Sequence, residues 1–177
     1  MTELSQLSKC GGLRYTGNRL RIDLGFNGLT GELPVSFISL IANMRMRDDT
    51  SVNLTMNTRL TLPTSLSGLE RTITHLDLSR TSLTGHISAD LGKLSSLKFL
   101  DLSGNQFTGE VPLSLGILKA AGCRVLVDPG LHLSADTSHV AGEPALDFSN
   151  LGLRGSLPLA LICLAHPTDA GATPTDL

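Results

Sequence analysis

The chain has no tryptophan, one tyrosine and three cysteines among its 177 residues, and aromatics make up 3% of it against 41% hydrophobic residues. Apolar content with so few aromatics suits an elongated fold whose apolar side chains are spread along its length rather than gathered into one global core. An excess of one charge is also lacking. Net charge is −2, and Arg14, Arg19, Arg21 and Arg124 are scattered, so there is no electrostatic case for nucleic acid or an anionic membrane. Cys10, Cys123 and Cys163 are an odd number, which leaves at least one unpaired within the chain. Cys163, between Ile162 and Leu164, reads as a small buried hydrophobe. Long apolar runs are missing too: Leu157 to Ala165 spans nine residues, against the roughly 20 that a membrane helix needs. Met1 to Arg14 is polar, without the apolar stretch of a signal peptide. The five histidines (His75, His86, His132, His139, His166) fit no metal-ligand spacing, no Ser-His-Asp set is recognisable, and Gly11-Gly12 is too weak for a phosphate loop. Neither an enzyme, a metal nor a cofactor is expected.

Repetition is what the chain does have. Ile22-Asp-Leu-Gly-Phe-Asn-Gly-Leu-Thr-Gly31 recurs as Leu76-Asp-Leu-Ser-Arg-Thr-Ser-Leu-Thr-Gly85, Leu100-Asp-Leu-Ser-Gly-Asn-Gln-Phe-Thr-Gly109 and Leu146-Asp-Phe-Ser-Asn-Leu-Gly-Leu-Arg-Gly155, with 24 residues from Asp77 to Asp101. Apolar residues follow at +3 and +6 from a proline: Phe37 and Leu40 after Pro34, Leu115 and Leu118 after Pro112, Leu161 and Leu164 after Pro158. Ser88 replaces the proline before Leu91 and Leu94. An eroded copy lies at 52–57, with Leu66 and Leu69 after Pro63, and another is expected around Val125 and Leu131. Six coils result, two of them degenerate. One such coil cannot bury its apolar side alone, so the coils must stack.

The spacing sets the shape of a coil. Leucines alternating with Asp101 face one side of a short strand, and Asp101 and Ser103 face the other. Stacked strands form a parallel sheet about 4.8 Å apart, predicted to contain 22–24, 52–54, 76–78, 100–102 and 146–148. Asn105, at the exit from its strand, is placed to bond backbone groups that a buried bend would orphan. The +3 and +6 leucines after Pro112 predict a short 3₁₀ turn packed inward. Leu100, Leu102, Phe107 and Leu115 are expected to be buried. Ile41 to Thr50 lengthens its interval and reads as an exposed insertion.

These residues resemble the plant-type leucine-rich repeat, Leu-x-x-Leu-x-Leu-Ser-x-Asn-x-Leu-Thr-Gly-x-Ile-Pro, best at Leu97, Leu100, Leu102, Asn105, Phe107, Thr108, Gly109 and Pro112. Thr81 and Leu151 stand where the consensus has its asparagine, and the tryptophan and cysteine pair of an extracellular cap are absent. The resemblance covers roughly residues 19 to 165. It implies a leucine-rich repeat solenoid of the α/β class, with short parallel strands and 3₁₀ or helical turns on the convex side, similar to the receptor-like and polygalacturonase-inhibitor-like repeat proteins. Residues 1–18 are then a partial N-terminal coil or cap, 19–165 the repeats and 166–177 a disordered tail. Leu4, Leu7 and Leu13 mimic Leu91, Leu94 and Leu97, so the chain is expected to be a fragment.

Two outward columns emerge. Asp23, Asn53, Asp77, Asp101 and Asp147 form one; they read either as an acidic groove for a basic partner or cation, or as consensus aspartates bonding adjacent hydroxyls and amides. A Ca²⁺ site would need six or more oxygens. Arg21, Ser51, His75, Phe99, Cys123 and Ala145 form the other, and because they vary on a regular scaffold they are where specificity would be encoded. The expected binding face is Arg21, Asp23, His75, Asp77, Phe99, Asp101 and Ser103, taking a protein or peptide ligand. Asn53-Leu54-Thr55 is a glycosylation sequon, used only if the protein is secreted. The leading function is a non-enzymatic protein- or peptide-binding module of a receptor-like protein. The alternatives are a spacer solenoid and a polysaccharide- or ice-binding surface; Thr30, Thr84 and Thr108 recur for the latter, with Arg154 breaking the array.

Overall fold

The computed structural model describes residues 13–16, 19–43, 49–62, 66, 69–136, 146–156 and 158. Its main element is a six-stranded sheet made of β1 (Leu13–Thr16), β2 (Arg19–Asp23), β4 (Asp49–Asn53), β6 (His75–Asp77), β8 (Phe99–Asp101) and β11 (Arg124–Leu126), in that spatial order. From β2 onward the pairing is parallel, one strand per coil, with Leu76 opposite Leu100 as the repeat spacing requires. Strand β1 is different. It runs antiparallel to β2, Leu13 opposite Ile22, so Leu13 does not play the part of Leu97 in an additional coil.

Period-two alternation explains the sheet. Leu20, Ile22, Val52, Leu76 and Leu100 point inward and are at most 5% exposed, while their neighbours along each strand stay at the surface. The next residue in each coil, Leu54, Leu78 and Leu102, is fully buried, and its amide donates to the following coil: Leu54 to the Asp77 carbonyl (2.8 Å), Leu78 to Asp101 (2.9 Å), Leu102 to Leu126 (2.8 Å). Phe107 is only partly buried and packs against the edge of this core.

Beyond the strand the chain bends through one left-handed position common to four coils; the coils of β2 and β6 carry a second left-handed residue at Gly28 and Ser82. Phe26, Met56, Arg80 and Gly104 occupy the common position in successive coils, with φ of 58°, 62°, 53° and 71°. Their ladder continues the sheet: Phe26 donates to the Thr55 carbonyl (2.9 Å), Met56 to Ser79 (3.1 Å) and Arg80 to Ser103 (2.9 Å). Asparagine then closes the bend. Asn57, fully buried, donates through Nδ2 to the carbonyls of Leu54 (2.8 Å) and Leu24 (2.9 Å) and accepts from the Leu29 amide (2.8 Å). Asn105 does the same, giving to Leu102 (2.8 Å) and Leu78 (2.9 Å). Thr81 substitutes for the asparagine of its coil by donating its hydroxyl to Leu78 (2.8 Å).

Short parallel pairs follow: β3 (Thr30–Glu32) with β5 (Arg59–Thr61), β7 (Thr84–Gly85) with β9 (Gln106–Phe107), and β10 (Glu110–Val111) with β12 (His132–Leu133). Their register sets Thr30 opposite Arg59 and Thr84 opposite Gln106, so Thr30, Thr84 and Thr108 do not form a ladder of facing threonines.

Among the described residues the helical returning segments are α1 (Val35–Asn43), a 3₁₀ helix (Ala89–Lys93) and α2 (Leu113–Ala120). Only one of the three is 3₁₀; α1 and α2 are α-helical. The expected inward residues Phe37, Leu66, Leu69, Leu91, Leu94, Leu115 and Leu118 are buried; Leu161 and Leu164 lie outside the described residues. Ser88 can replace proline because its hydroxyl accepts from the Asp90 amide at 3.2 Å, capping the 3₁₀ helix. The interval 41–50 is not an exposed insertion at its ends: Ile41 and Thr50 are each 2% exposed, in α1 and β4.

The last copy departs from the sheet. Residues 146–148 form no strand. The Asp147 amide donates to the Gly116 carbonyl of α2 at 3.0 Å, and the Phe148 ring lies where a Gly116 side chain would be. Lys119 holds the segment by donating Nζ to Asp147 Oδ2 (2.9 Å) and Ser149 Oγ (2.7 Å). Stacking resumes afterwards, with Gly130 donating to the Gly152 carbonyl and Arg154 to that of Leu131.

Candidate functional site on the outer sheet face

Strand register builds the outer face. Arg21, Ser51, His75 and Phe99 lie side by side on β2, β4, β6 and β8, and beside them run Asp23, Asn53, Asp77 and Asp101. Arg21, Asp23, Ser51, Asn53, His75, Asp77 and Phe99 surround an open depression of about 280 Å³ whose floor includes Ile22 and Val52. Most of the expected binding residues therefore meet in one place. Asp101 and Ser103 sit in the same coil as Phe99 but outside the lining. The imidazole of His75 faces the Phe99 ring, centroids 6.3 Å apart and planes inclined by 30°.

The aspartates are oriented by their own coils. Asp77 Oδ1 accepts from the amide (2.9 Å) and hydroxyl (2.7 Å) of Ser79, and Asp101 Oδ1 from those of Ser103 (2.9 and 2.6 Å). Asp23 Oδ1 takes the Gly25 amide (3.2 Å) and Asn53 Nδ2 (3.1 Å). These contacts are the local bonding of a repeat aspartate, and they engage the Oδ1 oxygen of each carboxylate. Asp147 keeps the local part, accepting from the Ser149 amide at 2.8 Å, but lies on α2 instead of in the column. Lys119 and the Ser149 donors hold its carboxyl down at about 2.

A polar cluster that repeat spacing did not reveal flanks the depression. Asp49 Oδ1 accepts from the Thr74 hydroxyl (2.6 Å) and lies 3.2 Å from His75 Nδ1, while Arg19 Nε is 3.8 Å from Oδ2. The Thr74 bond is the main reason the Asp49 carboxyl titrates below its ordinary value; partial burial opposes it, and His75, Arg19 and Lys98 add to it. Asp49 thereby fixes one side of the imidazole and leaves the other toward Phe99.

Cys123 does not belong to the outer column. Arg124 stands opposite Phe99, and Cys123 is 3% exposed, its thiol pushed up to about 11 by burial. Helix α2 causes the shift. It closes with the Cys123 amide on the Leu118 carbonyl (3.0 Å), Gly122 on Lys119 (3.0 Å), and Gly122 at φ 93°. That closure is a Schellman motif, which uses one residue more than the 3₁₀ turn of the previous coil. Lys119 followed by Gly122 was the readable signal. Ala145, Cys10 and Cys163 lie outside the described residues.

The face thus offers a guanidinium, an imidazole tilted beside a phenyl ring and oriented carboxylates, on strands already fixed by the ladder. Asn53, the sequon residue, is half-buried at its centre, so a sugar on Nδ2 would stand in the depression. Among the described residues no three His, Cys, Asp or Glu side chains are grouped to hold a metal ion, and no helix is long and apolar enough to cross a membrane. No curated protein matches the chain. The Leucine Rich Repeat family model matches residues 72–94 and 96–118, the coils of β6 and β8. Those two coils are leucine-rich repeats, a repeat type that generally mediates binding between proteins.

Proposed function

We propose that the chain is a non-enzymatic recognition module of a plant-type, receptor-like protein, and that a protein or peptide ligand docks on the outer sheet face at Arg21, His75 and Phe99. One observation carries this reading: the residues that vary from coil to coil converge on a single depression whose walls are rigid strands. Binding there orders little of the protein, so little of the contact energy is lost to entropy. Arginine and aromatic side chains are the usual anchors of such contacts. Asp101 and Ser103 extend the surface along the coil of Phe99.

The test is selection of a random linear peptide library on the whole chain, followed by calorimetry of a selected peptide against variants. Phe99→Ala is expected to weaken binding more than about fivefold, a loss of ~1 kcal/mol, with the melting temperature nearly unchanged. Peptides that bind Phe99→Ala and Arg21→Ala as well as the parent would favour the spacer reading instead.

A further inference from the structure

The strand-exit column holds three large side chains where the backbone asks for glycine. Phe26, Met56 and Arg80 all take positive φ, and the fourth member, Gly104, shows what an unstrained residue there looks like. None of the three is in place to build the core. Phe26 is 76% exposed, Arg80 is exposed and Met56 partly so. Arg80 lies across the next coil, since a Cβ on Gly104 would come 2.6 Å from Arg80 Cγ. Among the described residues Arg80 makes no ion pair. The ladder from Phe26 to Thr55, Met56 to Ser79 and Arg80 to Ser103 sets these side chains in a row. That row follows Asp23, Asn53 and Asp77 by three residues in each coil, so it borders the depression.

We infer that the row Phe26–Met56–Arg80 is a second contact strip for the same ligand, and that it fits a polypeptide segment carrying an apolar or aromatic residue near a carboxylate. This rests on the reading that the outer sheet face binds polypeptide. An exposed phenyl ring and thioether match an apolar side chain, and a guanidinium whose stem is laid on Gly104 presents its fork to a carboxylate with little freedom left to lose. The strain is the reason to think the side chains serve something outside the fold: left-handed backbone disfavours them, and their own packing returns little.

Glycine substitutions separate binding from folding. A random linear dodecapeptide phage library selected on the whole chain should enrich sequences pairing Asp or Glu with Phe, Leu or Met. Against a synthetic peptide of that consensus, Phe26→Gly and Arg80→Gly should each weaken binding at least fivefold while the melting temperature stays level or rises. A fall in melting temperature with either variant would overturn the inference, because the side chain would then serve the fold. Peptides weakened by Phe99→Ala but indifferent to both glycine variants would overturn the strip and leave the sheet-face reading intact. Peptides weakened by the glycine variants and indifferent to Phe99→Ala would overturn the sheet-face reading, and with it the claim that the row is a second strip for the same ligand. Enrichment of basic sequences would overturn the assigned ligand chemistry, and no enrichment would overturn both readings.

Discussion

Thr81 and Asn105 share one oxygen. The amide and the hydroxyl of Thr81 each lie 3.0 Å from Asn105 Oδ1, which also accepts the Leu83 amide at 3.0 Å. Thr81 has a single hydroxyl proton, and the Leu78 carbonyl at 2.8 Å competes for it. The threonine that stands in for the asparagine of one coil is therefore held by the asparagine of the next. Asn105→Ala would orphan the Thr81 and Leu83 amides and the Leu102 carbonyl together. A loss on the order of 3 kcal/mol is expected from several unmet buried groups, read as a shift of the urea midpoint. An unchanged midpoint would mean that water replaces the side chain at no cost.

Leu102 tests the core in the same coil. It is fully buried and its neighbours Leu100 and Leu78 are too, so Leu102→Ala should cost about 2–5 kcal/mol through lost burial and a cavity. Denaturant melts of the two proteins would measure it, and equal stabilities would contradict the inward register.

Asp147 reports on the displaced last copy. Its carboxyl titrates at about 2 in the folded chain against an ordinary 3.8. Because the folded value is depressed, the stabilisation it brings is present above the unfolded value and disappears as pH falls through about 2. Lys119→Met should move the titration, followed by the carboxyl carbon resonance, back toward 3.8. A midpoint that did not move would place residues 146–149 away from α2.

Cys123 distinguishes the two registers of β11. Buried, with its thiol raised to about 11, it should resist a thiol reagent at pH 8 in a Cys10→Ser/Cys163→Ser background and react fully in denaturant. Prompt native labelling would return it to the outer face and remove Arg124.

The residues explain how far the sequence alone could be read. Strand phase was legible because Leu100 and Leu102 alternate with Asp101, and alternation admits one inward set. Arg21, His75 and Phe99 fell together for the same reason: each precedes the first inward residue of its repeat motif, Ile22, Leu76 or Leu100, so the longer first interval leaves the register intact. The column failed at Cys123 because α2 ends one residue later than a 3₁₀ turn would. It failed at 146–148 because Asp147 and Ser149 preserve the local motif wherever the segment lies. What moves that segment is Lys119 and the open space at Gly116, and neither belongs to the repeat. Asp49 and Thr74 were illegible for a related reason, since they meet only when β4 and β6 pair.

Strand β1 gives the array a direction of growth. Parallel coils can be added wherever an edge presents the register of the one before, but the reversed pairing of Leu13 with Ile22 takes up the edge of β2. A further parallel coil has no place to dock there. Lengthening of this array by duplication would have to happen on the other side of β2 from β1, and each added coil would carry a new left-handed position in the row of Phe26, Met56, Arg80 and Gly104. The surface most easily diversified would then be the strip beside the depression, with the closed end left as it is.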